Sequence, residues 1–184
     1  SLNGRRADRI VRDGVALMPG GKSIFPTLTV AEHLRLATWT FRDDHPRIAV
    51  DQQRMLDVFP VLEKLMDRRA GDLSGGEQQQ LALAQTLMLR PQVLMIDELS
   101  LGLSPSVVAS LLKVVRGLHA DGMTIVLVEQ SVNIALTLAE RAVFMEKGAV
   151  RFEGPTRELL DRPDILRAVF LNGADASANG QSVE

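Results

Sequence analysis

The sequence predicts an α/β domain built on a largely parallel sheet. Short apolar runs that read as buried strands alternate with segments whose apolar residues recur at helical spacing. The run at 93–96 ends in Asp97 and Glu98, as expected of a buried strand that brings acids to the carboxyl edge of a sheet. A Ser-Gly-Gly turn at 74–76 opens a predicted helix, and the N–H groups at a helix start can hold a phosphate. Together these features predict a nucleotide-binding protein.

Composition narrows the class of protein. The chain has 184 residues, 46% of them hydrophobic, and a formal net charge of −2, which suits a single core. Nucleic acid is not expected as a partner, because there is no basic surplus. Cysteine is absent, which excludes a disulfide framework, a thiolate metal site and a cysteine nucleophile. No apolar run approaches the roughly 20 residues of a membrane helix, so any membrane association is expected to go through a partner.

The first part of the chain is predicted to contain one strand and several short helices. A helix at 9–12 leads into a strand at 15–18, and a Pro-Gly-Gly sequence then interrupts that strand. Thr29 and Glu32 have capping-box spacing and precede an apolar helical stripe. Further short helices are predicted on either side of Pro60, the second of them reaching residue 66.

From the Ser-Gly-Gly turn onward, helices and strands alternate. The helix that begins there is expected to end at Arg90 and Pro91. The remaining strands are predicted at 93–96, 124–129, 142–145 and 149–152, and the remaining helices at 108–118, 132–139, 157–160 and 165–171. Residues 174–184 are small and polar, and we expect them to form a disordered tail.

Each feature also has a simpler structural interpretation. Ser74 and Glu77 fit a capping box, in which serine covers a helix N–H and glutamate reaches back, and on spacing alone this interpretation is favoured. An apolar run that ends in Asp-Glu is often only a strand that enters a polar loop. His33, His45 and His119 share no ligand spacing, so each is interpreted as a surface or helix-face residue and not as a metal ligand.

Three motifs that follow one another along the chain favour the nucleotide-binding interpretation over the purely structural one. Residues 73–78 read Leu-Ser-Gly-Gly-Glu-Gln, residues 93–98 are the apolar run with its two acids, and residues 100–105 read Ser-Leu-Gly-Leu-Ser-Pro. The chain resembles the ABC ATPases, in which these stretches are the signature, the Walker B strand and the D-loop. The resemblance implies a P-loop NTPase-like (RecA-like) parallel sheet core with an inserted α-helical subdomain.

The resemblance also implies a division of the chain. Residues 1–173 would form one ABC ATPase domain, with 20–89 as the helical subdomain and 1–19 and 90–173 as the core, followed by the tail at 174–184. The sequence contains no Gly-x-x-x-x-Gly-Lys-Ser/Thr loop, the cradle for nucleotide phosphates. In this family the loop lies upstream of the point where the sequence begins, so the resemblance implies an N-terminally truncated domain.

The family's functional residues carry over to matching positions. Asp97 would hold Mg²⁺, and Glu98 would polarise the water that attacks ATP. Gln130 stands at the switch-histidine position and would sense the γ-phosphate through a neutral hydrogen bond. The signature would bind ATP held by a second subunit, which makes dimerisation part of the mechanism. These trans contacts would come from Ser74, Gly75, Gly76 and Glu77, with Ser104 in the D-loop.

Some positions depart from the family pattern. Gly20 stands where the Q-loop would offer glutamine or glutamate to magnesium and water, and glycine has no side chain to offer. Leu99 replaces the proline that commonly follows the catalytic glutamate, and Ser104 stands where many relatives have aspartate. Gln130 and the Ser-Leu-Gly-Leu sequence are ordinary in one subfamily, so only the first two departures stay unexplained.

That subfamily is the ATPase subunits of branched-chain amino-acid uptake systems, which residues 24–30, 59–62, 70–79, 100–103 and 127–130 resemble. The resemblance implies an ATP-hydrolysing subunit of an ABC importer. Its partners would be a second ABC ATPase subunit and transmembrane permease subunits, and it would lie peripherally on the cytoplasmic face of the cell membrane. Without a phosphate loop, this chain alone is expected to be inactive.

Two alternatives remain open. The chain could be a noncatalytic ABC domain that serves as a dimerisation and docking module, which Gly20 and Leu99 favour and Asp97 and Glu98 oppose. It could also be an ABC ATPase of the chromosome-maintenance or DNA-repair type. The absence of sustained heptads argues against this second alternative, because such proteins insert long coiled coils.

Overall fold

The computed structural model describes residues 1–21 and 23–162. The chain divides into two compact units, residues 1–126 and residues 127–184. The predicted division into a helical subdomain at 20–89 and a core remains a prediction. The helix expected at 165–171 and the tail at 174–184 lie outside the described residues.

The first unit is organised around a sheet. Its described α-helices and strands are α1 (Ala7–Arg12), β1 (Val15–Met18), α2 (Val30–Ala37), α3 (His45–Val58), α4 (Pro60–Glu63), α5 (Gly75–Leu87), β2 (Val93–Asp97), α6 (Pro105–Ala120) and β3 (Thr124–Val128), whose last two residues fall in the second unit. In this sheet β2 lies between β1 and β3. β1 and β2 pair in parallel, with Val15 opposite Val93 and Met18 opposite Ile96. The predicted α/β class with a parallel sheet is confirmed.

Short apolar strands form the centre of the first unit, and alternate residues of β1 and β2 are buried on one face of the sheet, while Leu17 on the other face is exposed. Met18, Leu94 and Ile96 are fully buried. Helix α5 supplies further core residues, among them Leu81 and Leu83. Among the described residues, no helix is long and apolar enough to cross a bilayer.

Helix α2 begins with the predicted capping box. The Thr29 hydroxyl accepts from the Glu32 backbone N–H at 3.2 Å, and the Glu32 carboxylate accepts from the Thr29 N–H at 2.8 Å. That backbone hydrogen bond lowers the pKa of the Glu32 carboxyl. The cap therefore fixes where the helix starts.

His33 lies on helix α2 as one part of its interpretation allowed, but it is buried, so the expectation of a surface histidine is wrong. Its side chain is fully enclosed. Nε2 accepts from the Phe25 backbone N–H at 2.9 Å, and Nδ1 lies 2.8 Å from the Thr29 carbonyl oxygen. Because Nε2 must accept, Nδ1 carries the proton. The imidazole thus joins the chain before α2 to its first turn, a contact that sequence spacing does not encode.

Helix α4 is shorter than predicted. It ends at Glu63, before the apolar pair at 65 and 66. The chain continues in turns, in which the backbone N–H of Leu65 donates to the Leu62 carbonyl and that of Arg68 donates to the Leu65 carbonyl. The apolar residues keep helical spacing as far as residue 66, but the continuous series of helical hydrogen bonds ends at Glu63.

A buried ionic cluster joins α3 to the end of α5. Asp51 is 2% exposed, and its two oxygens lie 2.7 Å from Nε of Arg90 and 3.3 Å from Nε of Arg47. Arg90 has a φ of 51° where the chain turns from α5 toward β2. A buried carboxylate is tolerated only when it is paired, so Asp51 ties the helices before α5 to the approach to β2.

The second unit contains an antiparallel hairpin. The prediction of a largely parallel sheet did not include it. Its described elements are α7 (Val132–Leu138), β4 (Arg141–Glu146), β5 (Ala149–Pro155) and α8 (Thr156–Leu160). β4 and β5 form a separate two-stranded sheet. Lys147 and Gly148 both have positive φ, 49° and 78°, the geometry of the two-residue turns that reverse a strand.

Candidate functional site

Strand β2 carries two acids to the carboxyl edge of the sheet. Asp97 is its last residue and Glu98 follows, and both are half-buried. Glu98 has a φ of 52°, a left-handed conformation that costs about 1–3 kcal/mol for a residue with a side chain. The next residue, Leu99, is fully buried. Leu99 therefore anchors the strained turn in the core, which accounts for an apolar residue at a position where the family commonly has proline.

Gly20 lies against Asp97. A Cβ built on Gly20 would stand 3.2 Å from Oδ2 of Asp97 and 3.4 Å from its carbonyl oxygen. Any side chain here would press on the aspartate carboxylate. The glycine that interrupts the expected Q-loop pattern thus places no side chain against this carboxylate.

The first turn of α5 is capped by its own residues. The Glu77 carboxylate accepts from the Ser74 backbone N–H at 2.7 Å and from the Ser74 hydroxyl at 2.8 Å, and the hydroxyl accepts from the Glu77 N–H at 3.4 Å. The capping-box interpretation is thus correct. Ser74 and Gly75 are nevertheless exposed, so the capped turn can still be approached from outside. A phosphate bound by the Ser74 hydroxyl would have to replace its bond to Glu77.

Gly76 has a packing role in addition to any contact with a ligand. It is buried, and a Cβ added there would stand 2.8 Å from Cγ1 of Val107 on α6. Contacts that short do not occur between real carbon atoms, so α5 and α6 approach closely only because this residue is glycine. At Gly75 an added Cβ would meet Leu103 at an ordinary 3.6 Å.

A cleft of about 170 Å³ lies in the first unit beside these residues. Its walls come from the segment after β1, the first turns of α5 and the chain after β2, and include Gly21, Gly75, Gln79, Glu98 and Leu103. The cleft brings Glu98 and the first turn of α5 into one place. Residues far apart in the sequence therefore share one wall of solvent-accessible space.

Ser104 and Gln130 belong to different units of the chain. Ser104 occupies the N-cap position of α6 without a side-chain cap bond, and its hydroxyl lies 3.1 Å from that of Ser106. Gln130 is an exposed residue of the second unit, two positions after β3. Asp97, Glu98 and the α5 turn thus belong to one unit, and Gln130 belongs to the other.

The acids can serve a magnesium ion of the kind that nucleotides carry. In the described part of the chain, no group of three or more His, Asp or Glu side chains could hold a metal ion alone. Magnesium usually takes one or two carboxylates and completes its shell with phosphate oxygens and water. Asp97 at the strand end, half-buried and with no side chain from Gly20 against its carboxylate, fits that donor set.

Sequence reasoning missed two glutamines of α5. Gln79 Nε2 donates to the Leu99 carbonyl at 3.4 Å, and Gln85 Nε2 donates to the Ser23 carbonyl at 2.7 Å. A run of three glutamines at 78–80 was visible, but their spacing alone does not tell which segments they reach. Their partners follow from the tertiary fold.

Comparisons with known proteins agree with this geometry. The ABC transporter family matches residues 2–100. The high-affinity branched-chain amino acid transport ATP-binding protein BraG of Pseudomonas aeruginosa is 38% identical over 94% of this chain and 72% of its own length. The probable branched-chain amino acid transport ATP-binding protein LivF of Archaeoglobus fulgidus is 39% identical over 80% of this chain and 62% of its own length.

Solved structures show the same fold. The ADP conformation of an ATP-binding cassette of an ABC transporter superposes with a TM-score of 0.76 at 20% identity, over 91% of this chain and 72% of that one. An ATP-binding subunit of an ABC transporter gives 0.74 at 25% identity, over 94% of this chain and 74% of that one. The chain belongs to the ABC transporter ATP-binding family, whose members bind nucleotide. It spans about two thirds of the length of the curated relatives it matches.

Proposed function

We propose that this protein is the ATP-hydrolysing subunit of an ABC importer. The observation that carries the proposal is the cleft in which Glu98 and the capped first turn of α5 meet, next to Asp97 at the end of β2. An ABC ATPase needs an acid for water and a helix N-terminus for a phosphate. Both elements are present in one unit of this chain.

The chemistry assigns different work to the two acids. Asp97, half-buried beside Gly20, would hold Mg²⁺, which would supply positive charge to offset the charge of the phosphates. Glu98 would accept a hydrogen bond from the attacking water and so orient it. The left-handed backbone of Glu98 and the buried Leu99 would restrict the direction in which the Glu98 side chain leaves the backbone. Preorganisation of this kind removes the need to reorganise during reaction.

The signature turn would act on a second subunit. Ser74 and Gly75 are exposed, and their hydroxyl and backbone N–H groups would contact the γ-phosphate of ATP held by the partner, with Gly76, Glu77 and Ser104 beside them. Each active site would then be shared between two ABC ATPase subunits. Dimerisation is accordingly part of the proposed mechanism.

The transported solute and the membrane partners are proposed from the relatives. BraG and LivF are named for branched-chain amino acid transport, and we extend that substrate class to the importer served by this chain. The permease would be a separate transmembrane protein. The subunit would lie peripherally on the cytoplasmic face of the cell membrane, where ATP is available.

A noncatalytic docking module is the second candidate. Gly20 favours it, because the side chain that would reach magnesium and water from the Q-loop is lacking. Turnover of the wild-type protein, in a form that carries a phosphate loop, decides between the two candidates, and its loss in Glu98→Gln would assign the hydrolysis to this site. Residues 1–184 also contain no phosphate loop, so we propose that this chain by itself does not hydrolyse ATP.

Gln130 offers a separate test of the proposed switch. In a form of the protein that carries a phosphate loop, Gln130→Ala should slow hydrolysis clearly, because a donor aimed at developing charge is removed. Gln130→His should keep activity and add a pH dependence near the ordinary histidine pKa of about 6.5. Steady-state hydrolysis across pH measures both. If both variants match the wild type at every pH, Gln130 is only a polar residue after β3.

A further inference from the structure

Helix α5 holds three separate chain segments through glutamine amides. Gln78 Nε2 donates to the carbonyl oxygens of Ala70 and Leu73, at 3.0 and 3.1 Å. As described above, Gln79 reaches the Leu99 carbonyl and Gln85 the Ser23 carbonyl. Each of the three glutamines joins the helix to a different stretch of the chain. The helix that would meet ATP through its first turn is therefore also tied to the chain that follows the catalytic strand.

The bond from Gln79 falls at the strained point of that chain. Glu98, with its φ of 52°, immediately precedes Leu99. The backbone at Leu99 is held on two sides, by burial of its own side chain and by the amide of Gln79 on its carbonyl oxygen. A left-handed residue persists only where its surroundings fix it. Gln79 supplies one of those constraints, and it also lines the cleft together with Glu98.

We propose that Gln79 is a positioning residue for Glu98. Its side-chain amide fixes the Leu99 carbonyl, and this contact keeps the turn that aims the Glu98 carboxylate into the cleft. The inference rests on the proposed function, since it takes Glu98 as the acid that orients water. It also joins two parts of the machinery, because Gln79 lies two residues beyond Glu77 on the same helix.

The first test uses the chain as it stands. Gln79→Met keeps the length of the side chain and removes the donor, whereas Gln79→Lys keeps a donor. Gln80→Met is the matched control, because in the described structure the side chain of Gln80 makes no hydrogen bond to the turn after β2. Loss of one hydrogen bond of ordinary net strength changes an equilibrium constant or a rate by about 2- to 10-fold.

Amide hydrogen exchange at residues 98–101 should therefore become about 2- to 10-fold faster in Gln79→Met. It should stay near the wild-type rate in Gln79→Lys and in Gln80→Met. Thermal unfolding of the three variants separates a local effect from a general loss of stability. Exchange that is equally fast in Gln79→Met and Gln80→Met contradicts the proposal.

The second test measures turnover in a form of the protein that carries a phosphate loop. Gln79→Met should lower kcat by about 2- to 10-fold with little change in the KM for ATP, because the acid is misaimed while nucleotide contacts stay. Gln79→Lys should recover most of kcat. A higher KM with unchanged kcat, or an equal fall of kcat in Gln79→Met and Gln80→Met, contradicts a positioning role for Gln79.

Glu98→Gln is assayed in parallel, so that a result that contradicts the role of Gln79 can be distinguished from one that contradicts the proposed function. If Glu98→Gln is inactive and Gln79→Met behaves as wild type, only the role of Gln79 is contradicted. If Glu98→Gln hydrolyses ATP at the wild-type rate, the role of Glu98 is contradicted and the role of Gln79 with it. If the wild-type protein with a phosphate loop does not hydrolyse ATP, the proposed function itself is contradicted.

Discussion

Replacing Glu98 by glutamine is expected to abolish ATP hydrolysis while nucleotide binding is largely retained. Glutamine keeps the size of the side chain but is a poor acceptor for a proton from water. Positioned acids and bases of this type contribute about 10²- to 10⁴-fold in rate. Binding should survive, because a carboxylate that contacts water adds little to the affinity for the phosphates.

The measurement is single-turnover hydrolysis together with equilibrium binding, in a form of the protein that carries a phosphate loop. Glu63→Gln on α4 is the matched control, since Glu63 is exposed and lies outside the cleft. It should leave turnover unchanged. Turnover of Glu98→Gln within a few-fold of wild type would remove Glu98 from the mechanism, whereas a wild-type protein without turnover would favour the docking-module alternative.

Replacing Gly76 by alanine is expected to lower the free energy of unfolding by about 1–3 kcal/mol, the usual cost of forcing an extra carbon into a packed interface. The added Cβ would stand 2.8 Å from Cγ1 of Val107, so α5 and α6 must separate. Neither Gly75 nor Gly76 has a positive φ, so alanine suits the backbone at both. Gly75→Ala, whose Cβ meets only an ordinary 3.6 Å contact, is therefore the control for helix propensity.

Urea denaturation of the chain measures this effect. Gly76→Ala should unfold at lower urea than Gly75→Ala. Adding Val107→Ala to Gly76→Ala should recover part of the loss, because the second change removes the methyl groups that clash. Equal midpoints for the two single variants would mean that Gly76 is not required for helix packing, and its presence would then have to be explained by phosphate contacts alone.

Local pattern was enough to predict the parts of the site that follow from one stretch of sequence. The strand ending at Asp97 was predictable because a short apolar run that ends in acids is typical of a buried strand that reaches the edge of a sheet. The capping boxes at Thr29 and Ser74 were predictable because each depends on two residues three positions apart. These features need no knowledge of the tertiary fold.

Contacts between distant segments were not predictable. The burial of His33 depends on Phe25 reaching its ring, and Gln79 finds Leu99 only after β2 and α5 pack together. The proximity of Gly20 to Asp97 depends likewise on the parallel pairing of β1 with β2. The left-handed backbone of Glu98 has no signal in residue type, because glutamate has no special preference for it.

Calorimetric titration of the chain with MgATP tests most directly the central claim about where nucleotide contacts come from. Residues 1–184 supply Asp97, Glu98 and the α5 turn but no phosphate cradle, and the two acids would repel a polyphosphate that magnesium did not screen. The account predicts weak binding or none, and no hydrolysis. A dissociation constant in the low micromolar range would contradict it and would show that this chain holds the phosphates by itself.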